Sequence, residues 1–287
     1  MLAAANASTP RADHQRRLSV AVRFSSRQRV SISLTLADMK TTIRSVLAAV
    51  TCFYLAIGDE RSQAVLPPPD GGYAGFNTAE GQNALFSLTT GSANTAVGWF
   101  SLWGNAEGSF NTATGAGALL FNTSDQNTAF GAAALLFNTV GFGNTAVGAA
   151  SLLNNTGDEN TAIGTGALLS NVGGIQNTAT GAFALFSNTT GSYNTATGDR
   201  ALTSNTSGIG NTATGFEALL SNTIGGSNTA HGHLALFRNT TGNDNTASGL
   251  QALFSNTTGG TNTADGSHAL ADNTTGEANT AVGSFAL

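Results

Sequence analysis

The residues best able to bind a metal ion are histidines in the second half of the chain. His231 and His233 form a His-x-His pair, Asp265 lies two repeats further along, and His268 stands apart. Residues two apart in a strand share a face, so His231 and His233 would point to one side. Stacked strands place Asp265 about 9–10 Å away, which is too far for a third ligand. We therefore interpret these residues as variable surface positions and predict no metal site.

The chain offers little else for catalysis. Cys52 is the only cysteine and Lys40 the only lysine. A single cysteine forms neither an intramolecular disulfide nor a cysteine-based zinc site, and without lysine the body of the chain cannot form a G-x-x-x-x-G-K-[ST] phosphate loop. No serine–histidine–aspartate or paired-carboxylate constellation stands out. We expect a non-enzymatic protein with no catalytic residue and no cofactor.

Charge is scarce and unevenly distributed. Charged residues make up 9% of the chain, against roughly 25% in an ordinary domain. Residues 77–287 hold two arginines, Arg200 and Arg238, against eleven acidic residues. Because this part of the chain cannot neutralise phosphates, we expect neither nucleic acid nor an anionic membrane surface as a partner.

Residues 39–64 have the features of a secretory signal peptide that starts at Met39. A short basic start precedes an apolar run, 45–58, that is too short for a comfortable membrane span. Small residues at Ser62 and Ala64 predict cleavage after Ala64. The mature chain would then be secreted or at the cell surface and would lack a transmembrane segment. The alternative is a buried or membrane-anchoring helix.

Two segments flank this leader. Residues 1–38 are rich in arginine and serine and almost free of acidic residues. If Met39 is the true start, they are a non-native upstream extension or a disordered segment; an organelle transit peptide is the alternative. Residues 65–76 contain three consecutive prolines and indicate a stiff linker.

From Asn77 onward the sequence repeats itself, with the unit N-T-A-x-G-x-x-A-L-x-x-N-T-T-G-x-x. We number repeat positions 1–17 from the first asparagine and the copies, or coils, 1–13 along the chain. Ten of the twelve steps are 17 residues long and two are 16. The first asparagines are Asn77, Asn94, Asn111, Asn127, Asn144, Asn160, Asn177, Asn194, Asn211, Asn228, Asn245, Asn262 and Asn279. A fixed period of this length indicates a solenoid.

Glycine and turn residues every few positions leave no room for a helix, whereas 17 residues accommodate two short strands and two turns. We predict an all-β fold, a parallel β-solenoid or β-roll of about thirteen coils over residues 77–287. Positions 3 and 5 would face inward and positions 2 and 4 outward, and stacking in register would permit asparagine and threonine ladders. The second strand would carry an inward leucine at position 9. The predicted core ladder is Leu85, Leu102, Leu119, Leu135, Leu152, Leu168, Leu185, Leu202, Leu219, Leu236, Leu253 and Leu270.

Position 10, directly after this leucine, is also mostly apolar. Adjacent strand positions face opposite sides, so the row would point outward as a patch larger than a soluble monomer usually exposes. We therefore predict a homo-oligomer in which identical chains cover it; the alternative is a turn that tucks both residues inside a wider monomeric coil. The candidate interface residues are Phe86, Trp103, Leu120, Leu136, Leu153, Leu169, Phe186, Leu220, Phe237 and Phe254.

The repeat resembles the head repeats of trimeric autotransporter adhesins, whose unit is a shorter coil of the kind S-V-A-I-G-x-x-A-x-A followed by a glycine turn. Residues 177–186, N-T-A-T-G-A-F-A-L-F, match that unit over ten positions, and the resemblance covers 77–287. It implies a trimeric left-handed parallel β-roll that presents a binding surface outside a bacterium, with a host-cell, matrix or glycan receptor. The stalk and membrane anchor of that family are not found.

Three functions fit these features. The first is a secreted or cell-surface structural and adhesion rod. The second is an ice- or crystal-surface-binding protein that uses the threonine ladder, although Phe130, His231 and Asp265 at position 4 would interrupt a flat face. The third is a passive fibre spacer whose C-terminal module is missing. In addition, Asn188, Asn239, Asn256 and Asn273 begin N-x-T sequons, which would predict heavy glycosylation in a eukaryote.

Overall fold

The computed structural model describes residues 17–24, 28–35 and 74–287. Two compact units, 1–62 and 63–287, are present. In the first, β1 (Arg17–Phe24) and β2 (Gln28–Thr35) form an antiparallel pair. The predicted signal peptide, its cleavage site at Ala64 and all but the last three residues of the predicted linker lie outside the described residues.

In the second unit, residues 77–287 form a parallel β-solenoid, as the repeat predicts, and the described residues 74–287 contain no helix. Each coil contributes one three-residue strand, and thirteen strands form a single sheet in chain order. The strands are β3 (Thr78–Glu80), β4 (Thr95–Val97), β5 (Thr112–Thr114), β6 (Thr128–Phe130), β7 (Thr145–Val147), β8 (Thr161–Ile163), β9 (Thr178–Thr180), β10 (Thr195–Thr197), β11 (Thr212–Thr214), β12 (Thr229–His231), β13 (Thr246–Ser248), β14 (Thr263–Asp265) and β15 (Thr280–Val282).

Pairing is in register throughout the sheet. Thr195 lies opposite Thr178 on one side and Thr212 on the other, and every other strand pair follows the same rule. Alanine at position 3 is buried, while positions 2 and 4 face outward. Since each coil has only three strand residues, many of its other backbone bonds are coil-to-coil contacts in the turns, such as Leu202 N–H to the Ala218 carbonyl at 3.0 Å. Others close the turn within one coil, such as Asn205 N–H to the Leu202 carbonyl at 3.1 Å.

The prediction of a second strand around position 9 is wrong. In coils 1–12, positions 6–11 form consecutive turns, and the leucine of position 9 has a left-handed backbone with φ between 49° and 53°. Position 7 is left-handed as well, so the chain curls tightly here instead of extending. These leucines nevertheless point inward and, with the alanines of positions 3 and 8, form the core cluster.

This backbone makes the core sensitive to side-chain branching. Leu236 has φ 51° and is fully buried. A β-branched residue is strongly disfavoured at positive φ, so Leu236→Ile should destabilise by about 2–3 kcal/mol, beyond the ~1.5 kcal/mol ceiling of an ordinary volume-conserving exchange. Leu236→Met, which is unbranched, is the control and should stay below that ceiling. Urea unfolding of both variants measures the difference in their free energies of unfolding. Equal losses of stability would mean that the left-handed backbone at Leu236 adds no strain for a β-branched residue.

Candidate functional site

Two ladders of stacked asparagine side chains run through the interior. They hold successive coils in register and so fix the positions of the surface side chains. In the first, at position 1, Asn194 Nδ2 donates to Asn177 Oδ1 at 3.1 Å and to the Gly208 carbonyl at 2.8 Å. Its own Oδ1 accepts the backbone N–H of Asn211 at 2.9 Å and the Asn211 side-chain amide at 3.1 Å. The amide is fully buried, yet each of its polar atoms is satisfied, as a buried polar group requires.

The second ladder lies at position 12 of coils 2–12. Asn205 Nδ2 donates to Asn188 Oδ1 at 2.9 Å and to the Gly208 carbonyl at 3.0 Å. The same glycine carbonyl therefore accepts from both ladders and fastens the two sides of the coil together. In coil 1 this position is Leu88, which packs against the core instead. In this second ladder every amide from Asn122 to Asn273 donates towards the preceding coil, so the dipoles align along the rod and reinforce one another.

The surface of the rod has three sides. We call positions 2–4 the sheet side, positions 6–11 the turn side and positions 12–17 the loop side. On the loop side, the threonine of position 13 is used structurally: the Thr206 hydroxyl, for example, donates to the Thr223 carbonyl of the next coil at 3.0 Å. The other two sides are therefore the candidate binding surfaces.

On the turn side, the outward apolar row expected at position 10 is largely buried within the single chain. Leu153 is 1% exposed and Phe186 3% exposed. In coils 3–6, position 7 is glycine or alanine, which leaves room for the neighbouring position 10 side chains. A Cβ built on Gly117, for instance, would meet the Leu136 side chain at 3.3 Å. Because most side chains of this row are buried within one chain, their exposure does not support an interface along its whole length. The structure instead contains the alternative, a turn that buries these side chains. Its participation in an oligomer stays a prediction.

Position by position, the ten candidate residues divide into two groups. The buried ones are Leu120, Leu136, Leu153, Leu169, Phe186, Leu220 and Phe237. Phe86 is 69% exposed, and Trp103 and Phe254 are partly exposed. Accessible apolar surface is therefore concentrated at particular coils.

Near the N-terminal end of the turn side, aromatic rings form a continuous cluster. Phe86 stacks on Trp103 with a centroid distance of 6.5 Å, and Trp103 meets Phe121 edge-on at 6.3 Å. Phe121 in turn stacks on Phe137 at 5.6 Å. Stacked rings cover one another's faces along the rod, so the cluster presents mainly ring edges outward.

Charge changes abruptly along the turn side. Coils 2–7 carry no charged residue on either the sheet side or the turn side. Coil 8 then introduces Asp199 and Arg200, and coil 9 introduces Glu217, which pairs with Arg200 at 2.9 Å. The acidic residues of coils 2–7 lie on the loop side, where Asp125 and others face water. The turn side of coils 2–7 is thus an uncharged surface with a defined end.

The histidines do not come together as a metal site. His231 is exposed at the end of β12, whereas His233 stacks on Phe216 with a centroid distance of 5.3 Å. His268 stacks on Phe285 at 4.7 Å. Among residues 74–287, no group of three or more histidine, cysteine, aspartate or glutamate side chains could hold a metal ion.

The asparagines of the four N-x-T sequons lie in the second ladder, so glycosylation of the folded protein is no longer expected. Asn188 is fully buried, and its Nδ2 donates to Asn171 Oδ1 at 2.7 Å and to the Gly191 carbonyl at 2.8 Å. A glycan on that nitrogen would remove a ladder bond and has no space. We expect that, in a eukaryotic secretory host, folded protein carries no glycan at Asn188 and that any glycosylated chain is misfolded.

Thr190→Ala destroys this sequon at an exposed site and serves as the control, since it should raise the folded yield. The measurement is the mobility of the soluble fraction before and after enzymatic deglycosylation. Soluble, protease-resistant protein that carries a glycan at Asn188 would contradict the ladder.

Comparisons with protein-family models, with curated proteins and with solved structures found no match. A membrane-spanning helix is not found among the residues that the structure describes.

Proposed function

We propose that the protein is a secreted or cell-surface structural rod that assembles laterally, as a trimer, and presents its outer surface for adhesion. The fold supplies the rod: thirteen in-register strands at about 4.8 Å spacing give a length of roughly 58 Å. The leader predicted at residues 39–64 supports export, and the adhesin-like repeat supports display outside a cell.

The observation that carries lateral assembly is the uncharged turn side of coils 2–7. Six coils extend over about 29 Å, and the surface ends where Asp199 and Arg200 begin. Partly exposed Trp103 and exposed Phe137 lie in the first three of these coils, and the exposed ring of Phe86 adjoins them in coil 1. Exposed apolar patches of this kind mark interaction sites, and identical rods around one axis would cover it.

Light scattering on a size-exclusion column tests the assembly. Ala132 is exposed at position 6 of coil 4, and Asp199 occupies the same position in coil 8, so Ala132→Asp is compatible with the coil. We expect a trimer for the unmodified protein and dissociation for Ala132→Asp. Ser227→Asp is the matched control, since Asp244 occupies its position 17 in the next coil; it should leave the mass unchanged.

A monodisperse monomer at all concentrations would reject lateral assembly. Adhesion is tested separately, by binding of the purified protein to cells, matrix proteins and glycan arrays, and by adhesion of the source cells after deletion of the gene. If no ligand is bound and deletion leaves adhesion unchanged, the adhesive role is wrong and a spacer role is favoured.

A further inference from the structure

The sheet side carries a regular array that the turn and loop sides lack. Over coils 2–9, positions 2 and 4 form two parallel rows of eight residues, of which all but Phe130 are β-branched and none is charged. The array consists of Thr95, Val97, Thr112, Thr114, Thr128, Phe130, Thr145, Val147, Thr161, Ile163, Thr178, Thr180, Thr195, Thr197, Thr212 and Thr214. His231 and Asp265 lie beyond its end, in coils 10 and 12, and so do not interrupt it.

The spacing of this array is fixed by the backbone. In-register parallel pairing repeats each row at about 4.8 Å along the rod, and the two rows are about 6.6 Å apart within a strand. β-branched side chains have few χ1 rotamers, so methyl and hydroxyl groups are held in a two-dimensional lattice. The asparagine ladders beneath hold the register rigidly.

The hydroxyls of this array are also free. In residues 74–287, none of its twelve threonine hydroxyls has a hydrogen-bond partner in the protein, whereas the position 13 hydroxyls of Thr206 and its equivalents bond the next coil. The strand preference for β-branched residues explains the branching, but valine or isoleucine would satisfy it equally well. The hydroxyls are therefore available to an external layer of water or to a ligand.

A second copy of the chain is a poor occupant for this surface. The array measures about 38 Å by 7–10 Å, or roughly 270–380 Å², which is less than half of the ~800 Å² per partner of a standard interface. A dry face-to-face pairing would also strip water from twelve unpaired hydroxyls, which is costly without replacement hydrogen bonds. A hydrated lattice whose repeat matches that of the array keeps the hydroxyls hydrogen-bonded to water.

We propose that the sheet side of coils 2–9 binds crystalline ice. The free hydroxyls and the methyl groups between them would order a first layer of water whose repeat along the rod is close to that of hexagonal ice. Phe130 is the one side chain that breaks the plane. The site exists on a single rod, and it stays accessible in an assembly built through the turn side.

Ice partitioning tests the proposal: polycrystalline ice is grown slowly from a solution of the purified protein, and the protein in the ice and in the liquid is measured. Thr197→Phe places an aromatic ring in the array at position 4, where coil 4 already carries Phe130. Thr261→Phe is the matched control at exposed position 17, where coil 2 carries Phe110. Phe130→Thr completes the plane.

We expect enrichment of the unmodified protein in ice, a several-fold loss for Thr197→Phe, no change for Thr261→Phe and a gain for Phe130→Thr. Absence of enrichment, or equal behaviour of Thr197→Phe and Thr261→Phe, would overturn the proposal. A drop in assembly mass for Thr197→Phe would overturn it too, since the sheet side would then be an interface. Light scattering on the same samples measures the assembly mass, so a failure of ice binding can be distinguished from a failure of lateral assembly.

Discussion

Replacing a single ladder asparagine by aspartate, as in Asn194→Asp, should destabilise the rod by about 3–5 kcal/mol. The exchange preserves the shape and replaces only the NH₂ group by oxygen. That group donates to Asn177 Oδ1 at 3.1 Å and to the Gly208 carbonyl at 2.8 Å. In the variant, two donor–acceptor contacts become contacts between acceptors, inside a site with no exposed surface.

The pH dependence of this variant follows from the same burial. Desolvation raises the pKa of the introduced carboxyl above its unfolded value of about 3.9. The folded state then holds its proton more tightly than the unfolded state, so stability falls as the pH rises above about 4. Asn194→Asp should therefore lose least at acid pH and most at neutral pH, which urea unfolding at several pH values would show.

Asn243→Asp is the matched control. Asn243 is exposed at position 16, and its Oδ1 accepts the Gly226 N–H at 2.7 Å. In the two 16-residue coils, which lack a residue at position 14, Asp125 and Asp158 align with position 16 and accept the equivalent bond, Asp125 from Ser109 N–H at 2.7 Å. The control should stay within about 0.5 kcal/mol of the unmodified protein, as surface changes usually do. Equal effects at Asn194 and Asn243 would mean that the ladder contributes nothing.

Gly198→Ala should cost at least about 3 kcal/mol, because it combines backbone strain with a clash. Gly198 has φ +134°, and a Cβ there would lie 2.5 Å from the carbonyl oxygen of Gly215 in the next coil. Neither the backbone of coil 8 nor that of coil 9 can move without breaking the in-register stack. Since each coil contacts only its neighbours, the two parts of the rod should then unfold in separate transitions.

Gly173→Ala is the control for this substitution. Gly173 lies at position 14 with a negative φ, and a Cβ there meets no atom within 4 Å. Alanine at this site should be neutral or slightly stabilising, by less than about 1 kcal/mol, because it restricts the unfolded chain. Scanning calorimetry distinguishes the cases: a single unchanged transition for Gly198→Ala would contradict tight glycine stacking.

The parallel sheet and its inward alanine could be predicted from the sequence because they depend on periodicity alone. The strict spacing of N-T-A-x-G stacks identical residues of successive coils on one another. The alternating direction of side chains in a three-residue strand then decides which of them face inward. Stacked asparagines follow from the same register. The shared acceptor, the Gly208 carbonyl, could not be predicted, since it depends on how the loop side folds back.

The burial of most position 10 side chains depends on a backbone conformation that the sequence does not signal. Leucine has no intrinsic preference for a left-handed backbone, so Leu202 at φ 53° gives no signal in the sequence. With an extended backbone, adjacent residues must face opposite sides; with alternating left-handed residues, the Leu153 side chain can lie flat and be covered by its neighbours. The free hydroxyls of the sheet side also needed the structure, because sequence alone does not distinguish Thr197 from the bonded Thr206.

Hydrogen exchange of the asparagine side-chain amides, followed by NMR, tests the ladder-bound solenoid most directly. The buried amides of positions 1 and 12, such as Asn194 and Asn205, should exchange far more slowly than those of exposed Asn154 and Asn243, because opening them requires separation of coils. Slow exchange confined to positions 1 and 12 is the predicted result. Rapid exchange of all asparagine amides would show that the two ladders do not hold the coils together.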